Sequence, residues 1–109
     1  MVNLTDLDPS ALYHLASSAE WAAYQAGGEI KPAALEAEGF VHCSYGHQIP
    51  GTVAKHFEGA TDLLALELEP QALGGVRLVD EDLYDSGQSF PHAYGAIPTA
   101  AVRATVTLL

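Results

Sequence analysis

The stretch "EGFVHCSYG", residues 38–46, decides how this chain is read. It sets an apolar pair ahead of a histidine, the chain's single cysteine and a serine. Aromatic and β-branched residues bounded by glycines mark a strand, here "GFVHCS", and side chains on a strand alternate between faces with a period of two. On that period Phe40, His42 and Ser44 share one face and Cys43 turns to the other. A histidine on the opposite face cannot activate the thiol as a nucleophile, so Cys43 reads as a small core residue. Ser44 ends the strand, either as the cap of the next element or as a hydrogen-bonding group of a site.

The same arrangement recurs on either side. His14 in "ALYHLA" (11–16) follows Leu12 by two residues, and His92 in "SFPHAYG" (89–95) follows Phe90 by two and precedes Tyr94 by two. Each pair shares a face of its strand. If these strands are neighbours, the three histidines, Ser44 and the aromatic rings line one small-molecule pocket. An imidazole with a pKa near 6.5 donates, accepts or binds an anion at neutral pH. Taken singly, each histidine reads as half-buried and satisfied by a backbone carbonyl; three on strands of one small domain weigh against that reading without reversing it. In the acidic run "DEDLYD" (80–85), a surface acid is the ordinary reading of Glu81; turned inward, it would orient a histidine or contact a ribose hydroxyl. His47 and His56 lie nine residues apart, on opposite sides of any continuous helix. No HxH, HxxxH or CxxC spacing supports a metal centre.

Outward from these strands, Ser17 and Glu20 form a capping-box pattern. "SAEWAAYQAG" therefore reads as a helix ended by Gly27-Gly28, with Trp21 and Tyr24 on the face that meets the sheet. "EIKPAALEAE" reads as a loop or short turn. Ile49, Val53, Ala54 and Phe57 recur at helical spacing, with Pro50 tolerable near the helix start. "DLLALELEP" (62–70), "VRLVDEDL" (76–83) and the terminal "VRATVTLL" add strands. About six strands and two helices in the first half describe an α+β chain with a mixed or antiparallel sheet.

The 109 residues make one domain, 1–109, and their hydrophobic and charged fractions of 49% and 17% fit a soluble globular one. Fourteen acids against four bases give a net charge of −10. Nucleic-acid and anionic-membrane partners are excluded as expectations, because affinity for them rests on clustered Lys and Arg. One small anionic ligand, held locally by one or two groups, is not. One cysteine permits no intramolecular disulfide, and "MVNLTDLDPSALYHL" lacks the basic and apolar regions of a leader, so a cytoplasmic location is expected.

The motifs "LYHLASSAEWAAYQAGG", "LEAEGFVHCSYGHQ" and "SFPHAYGAIPTAAV", in that order, resemble the family known as domain of unknown function 952. Its members show a YHI-type first strand, then GFIHCS, then FPHIYGPLP. The resemblance implies a compact ADP-ribosyltransferase-like fold, a split sheet with an NAD-binding cleft between its halves. It places His14 as the first-strand ligand residue and His42 through Ser44 as the second motif. His92 then stands where the transferases of that superfamily carry a glutamate, with Glu81 as a carboxylate from another strand. No cofactor is required, and NAD or ADP-ribose enters as a ligand. Catalysis is then expected of His92, His42 and Glu81, and ligand binding of His14, Ser44, Phe40, Phe90 and Tyr94. Glycosyl or phosphoryl transfer, or hydrolysis, of an NAD-related nucleotide is one function class. A metabolite- or peptide-binding module without turnover is the other, motivated by the missing glutamate and the scarcity of positive charge.

Overall fold

The computed structural model describes residues 7–109, so part of the N-terminal stretch read above for a leader lies outside the described residues. The decisive stretch forms two strands rather than one. β3 (Val41–His42) and β4 (Ser44–Tyr45) are separated by Cys43 and belong to different sheets. β3 pairs with β7 (Phe90–Tyr94), setting Val41 opposite Ala93 and His42 opposite His92. β4 pairs with β1 (Leu12–Ala16), setting Leu12 opposite Tyr45 and Tyr13 opposite Ser44. At the crossing the Cys43 N–H still donates to the Pro91 carbonyl, whereas the Gly46 N–H donates to Ala11. A glycine is required there: a Cβ on Gly46 would lie 1.8 Å from the Asp8 carbonyl oxygen.

Two main sheets result. One has the order β4-β1-β5-β9, with β5 at Leu64–Leu68 and β9 at Val102–Thr107. The other has the order β3-β7-β6, with β6 at Arg77–Glu81. A two-stranded ribbon of β2 (Glu29–Ile30) and β8 (Ile97–Pro98) completes the set. All pairings among the described residues are antiparallel, so the fold is α+β with antiparallel sheets and has none of the parallel pairing that a mixed sheet would bring.

Helix α1 (Ser18–Gly27) follows its caps. Ser17 accepts from the Glu20 N–H while the Glu20 carboxylate accepts from the Ser17 N–H, and Gly28 at φ 79° ends the helix. Tyr24 is buried, and Trp21 packs against the same apolar cluster. The expected loop "EIKPAALEAE" instead holds β2 and a short helix, α2 (Ala33–Glu38), bringing the helices to three. Pro32 opens α2, and Gly39 at φ 87° closes it by donating to the Leu35 carbonyl, a left-handed stop that only glycine adopts at little cost. α3 (Ile49–His56) carries Pro50 in its first turn, where no helical N–H is lost. No helix among the described residues is long and apolar enough to cross a membrane.

The central strands of the first sheet, β1 and β5, are buried on both faces, while β9 at its edge is largely exposed. Leu12, Ala16, Leu66 and Leu68 pack with Tyr24, Val41, Ala93 and Ile97 on the side of the second sheet. Tyr13 and Ala65 pack with Ile49, Leu63 and Leu108 on the other, where α3 adds Val53. β4 covers only Leu12 and Tyr13 along the edge of β1, and the next residues, His14 and Leu15, face the opening where the two sheets part.

Candidate functional site

That opening is a cleft of about 830 Å³. His14 comes from β1, His42 to Ser44 from the sheet crossing, and Phe90 and His92 from β7. Gln48 leads into α3, which adds Gly51, Thr52, Lys55 and His56, and Tyr84, Ser86 and Gln88 come from the loop between β6 and β7. The three histidines singled out from the sequence thus meet in one cleft.

His92 is the most firmly held of them. The β6–β7 register sets Val79 opposite His92 and Glu81 opposite Phe90, so Glu81 lies diagonally across from His92 on the same face. Its Oε1 accepts from His92 Nδ1 at 2.9 Å and also from the Tyr94 hydroxyl. Those two bonds, the tyrosine's first, hold the Glu81 carboxyl below its usual range, so it is ionised at neutral pH. An ionised carboxylate only accepts, which fixes the proton of His92 on Nδ1 and leaves Nε2 for the cleft. Phe40 stacks on the ring at 4.2 Å and 22°.

His14 is held differently. Its Nδ1 lies 2.6 Å from the His42 carbonyl oxygen, so Nδ1 carries a proton there too. Full burial pushes its pKa down, and the ring stays neutral with Nε2 as an acceptor. His42, half-exposed at the rim, meets Glu38 through Nε2 at 2.6 Å. Tyr84 lies over His42 at 6.3 Å and donates to the other Glu38 oxygen at 3.0 Å. This cluster ties the end of α2 to the β6–β7 loop.

Ser44 sits 3.5 Å from the Thr52 hydroxyl and caps no helix. The cap of the 46–48 turn is Tyr45, whose N–H is met by Gln48 Oε1 at 3.0 Å, while Gln48 Nε2 donates to the Ser89 carbonyl at 2.7 Å. Cys43 is buried and its thiol is pushed up to about 12, which leaves it protonated and unreactive.

Three sequence expectations shift. Phe40, Glu81 and Tyr94 do not line the cleft; they form the layer behind His92. Phe40, 4% exposed, has its ring against His92 and is not open to stack on a ligand. Of the expected aromatic residues Phe90 lines the cleft, joined by Tyr84, which the sequence pattern does not single out. Lys55, Thr52 and Gln48 likewise stand outside the sequence expectations. Their spacing of three and four residues with Gly51 is the available signal, since it places all of them on one helix face. Among the described residues no cluster of three or more His, Cys, Asp or Glu could hold a metal ion.

A family model described as "Protein of unknown function (DUF952)" matches residues 15–105. The chain belongs to the DUF952 family. The second and third sequence motifs fall inside the matched region, and His14 lies one residue ahead of it. Among solved structures, the crystal structure of protein CC0527 from Caulobacter crescentus is 32% identical, with a TM-score of 0.77 over 92% of this chain and 87% of that one. The solution NMR structure of CC0527 is similar at 32% identity and a TM-score of 0.70, over 90% of this chain and 84% of the other. No curated protein matches this DUF952 chain.

Proposed function

We propose that this DUF952 protein binds a small nucleotide-related ligand in the cleft, such as NAD, ADP-ribose or a nucleoside phosphate, and performs acid–base chemistry on it. The observation that carries this reading is the convergence of His14, His42 and His92 on one cleft, with Nδ1 of both buried rings already committed. A volume of about 830 Å³ suits one ligand of that size. Two antiparallel sheets parting around a cleft also support an ADP-ribosyltransferase-like ancestry, with the third-motif carboxylate displaced to the next strand as Glu81.

In this scheme His92 is the catalytic residue. Its Nε2 takes a proton from water as the water oxygen bonds to the anomeric carbon or phosphorus and the bond to the leaving group breaks. The imidazolium then returns that proton to the leaving group. Glu81 is a positioning residue: it keeps the Nδ1–H tautomer and offsets the charge on the ring. His14 Nε2 accepts from a ligand hydroxyl, and Ser44 adds a further hydrogen bond.

Calorimetric titration with NAD, ADP-ribose and AMP tests the reading on wild type and on Gly51→Leu. Gly51 lines the cleft, and a Cβ there meets no atom within 4 Å. The leucine is therefore expected to protrude into the cleft and weaken binding while the urea midpoint is unchanged or raised. No heat with any ligand at millimolar concentration, with the wild type folded, rejects the reading. Binding that survives in His92→Gln together with loss of product assigns catalysis to His92. Binding without product in wild type leaves a recognition module.

A further inference from the structure

The charge of the cleft runs against that of the chain. Four of the five histidines and Lys55 line it, and none of the acids among the described residues does, in a protein of net charge −10. The other cations are engaged or remote. Arg103 meets Glu67 and Glu69 at 2.5 and 2.6 Å, Arg77 lies 5.2 Å over the Tyr94 ring, and Lys31 borders a separate depression beside Glu36. Lys55 is in no ion pair among the described residues. It stands at the cleft mouth three residues beyond Thr52, on the same face of α3. A lysine in a helix's last turn also complements the helix dipole, but that role needs neither a cleft nor the exclusion of acids from it.

We propose that Lys55, with the Thr52 hydroxyl beside it, holds one phosphomonoester of the ligand at the mouth of the cleft. This rests on the proposed function and narrows it: a single cation anchors a single phosphate, which favours a mononucleotide or sugar phosphate over a diphosphate-bridged dinucleotide. The ammonium makes a charge-assisted bond to a phosphate oxygen, and the histidine wall faces the sugar.

Amide NMR titrations of the full chain with inorganic phosphate, AMP and adenosine test this. Phosphate is expected to shift the signals of Thr52, Lys55 and His56. AMP is expected to bind about tenfold more tightly than adenosine at low ionic strength, with the advantage shrinking as salt is added. Lys55→Gln should reduce that advantage to less than about threefold, while Lys31→Gln leaves it intact. Equal affinity for AMP and adenosine overturns the inference while leaving the nucleotide reading standing. So does an AMP advantage that persists in Lys55→Gln. Phosphate shifting the Lys55 region with neither AMP nor adenosine entering supports the anion site and removes the nucleotide reading. No shift by phosphate or AMP overturns the anion site.

Discussion

The sheet β4-β1-β5-β9 and the sheet β3-β7-β6 are both antiparallel, yet they bury different things. In the first, β1 and β5 lie between partners and carry Leu12, Tyr13, Ala65, Leu66 and Leu68 out of water on both faces. In the second, only β7 lies between partners, and the edge strand β6 has no fully buried residue. Each sheet brings one buried histidine to the cleft, but His14 meets a neutral carbonyl and His92 a carboxylate. The reason is the cost of burying charge. Glu81 is held ionised by its bonds to Tyr94 and His92 on a strand that leaves it in reach of water, whereas a carboxylate beside His14 would have to sit inside the apolar sheet. Cohesion therefore resides mainly in one sheet and the histidine–carboxylate pair in the other.

The largest expected effect separates the sheets by stability. Leu66, opposite His14, is fully buried, and Leu66→Ala should cost about 3 kcal/mol in urea unfolding. Val79, opposite His92 on the edge strand, is half-buried, and Val79→Ala should cost about 1 kcal/mol or less. Equal losses would break the division.

The pH dependence of His14 is next. Its folded-state pKa lies below the ordinary value of 6.5, so between the two values the unfolded chain binds more protons. Stability should therefore fall as pH drops through about 6.5 and level off below the folded pKa, with a slope of up to about 1.4 kcal/mol per pH unit. His14→Gln should flatten that limb in urea midpoints taken from about pH 7.5 to about pH 5, and an unchanged slope would assign it elsewhere.

Glu81 has the opposite placement and a smaller effect. Its lowered pKa means that its contribution is present above the unfolded carboxyl value near 4.5 and is lost as pH falls through the folded one. Glu81→Gln should remove that part of the acid limb and leave the His14 limb as it was. A change in both would show that the two sites are coupled. A last, kinetic prediction concerns the crossing between the sheets. Cys43 should react with a disulfide reagent at about pH 8 at least about a hundredfold more slowly in the folded than in the urea-unfolded chain, given a thiol pushed up to about 12. Fast labelling would place the thiol in the cleft rather than the core.

Much of the fold is legible locally. The Ser17–Glu20 box and Gly28 delimit α1 as expected. The α2 stop is equally visible in Gly39, but the proline and the surrounding acids favour a loop on local grounds. The two-residue period puts His42 and Ser44 toward the cleft correctly, although they lie in different sheets. The same period places Phe40 and Tyr94 on the His92 side, as found, yet it cannot say which rings are covered.

The sequence by itself determined the strand and helix cores, the caps and the histidine-bearing faces, because those depend on groups within a turn or two residues of each other. Tertiary structure alone decided that "EGFVHCSYG" divides at Cys43, that Glu81 sits behind His92, and that Lys55 stands in a cleft lined by none of the acids among the described residues. Each of those depends on register between segments far apart in the chain, as in the 28 residues that separate His14 from the carbonyl of His42. A strand's own pattern specifies which way its side chains point. Their contacts are specified by the partner strand, whose choice depends on burying both faces of β1 and β5 at once.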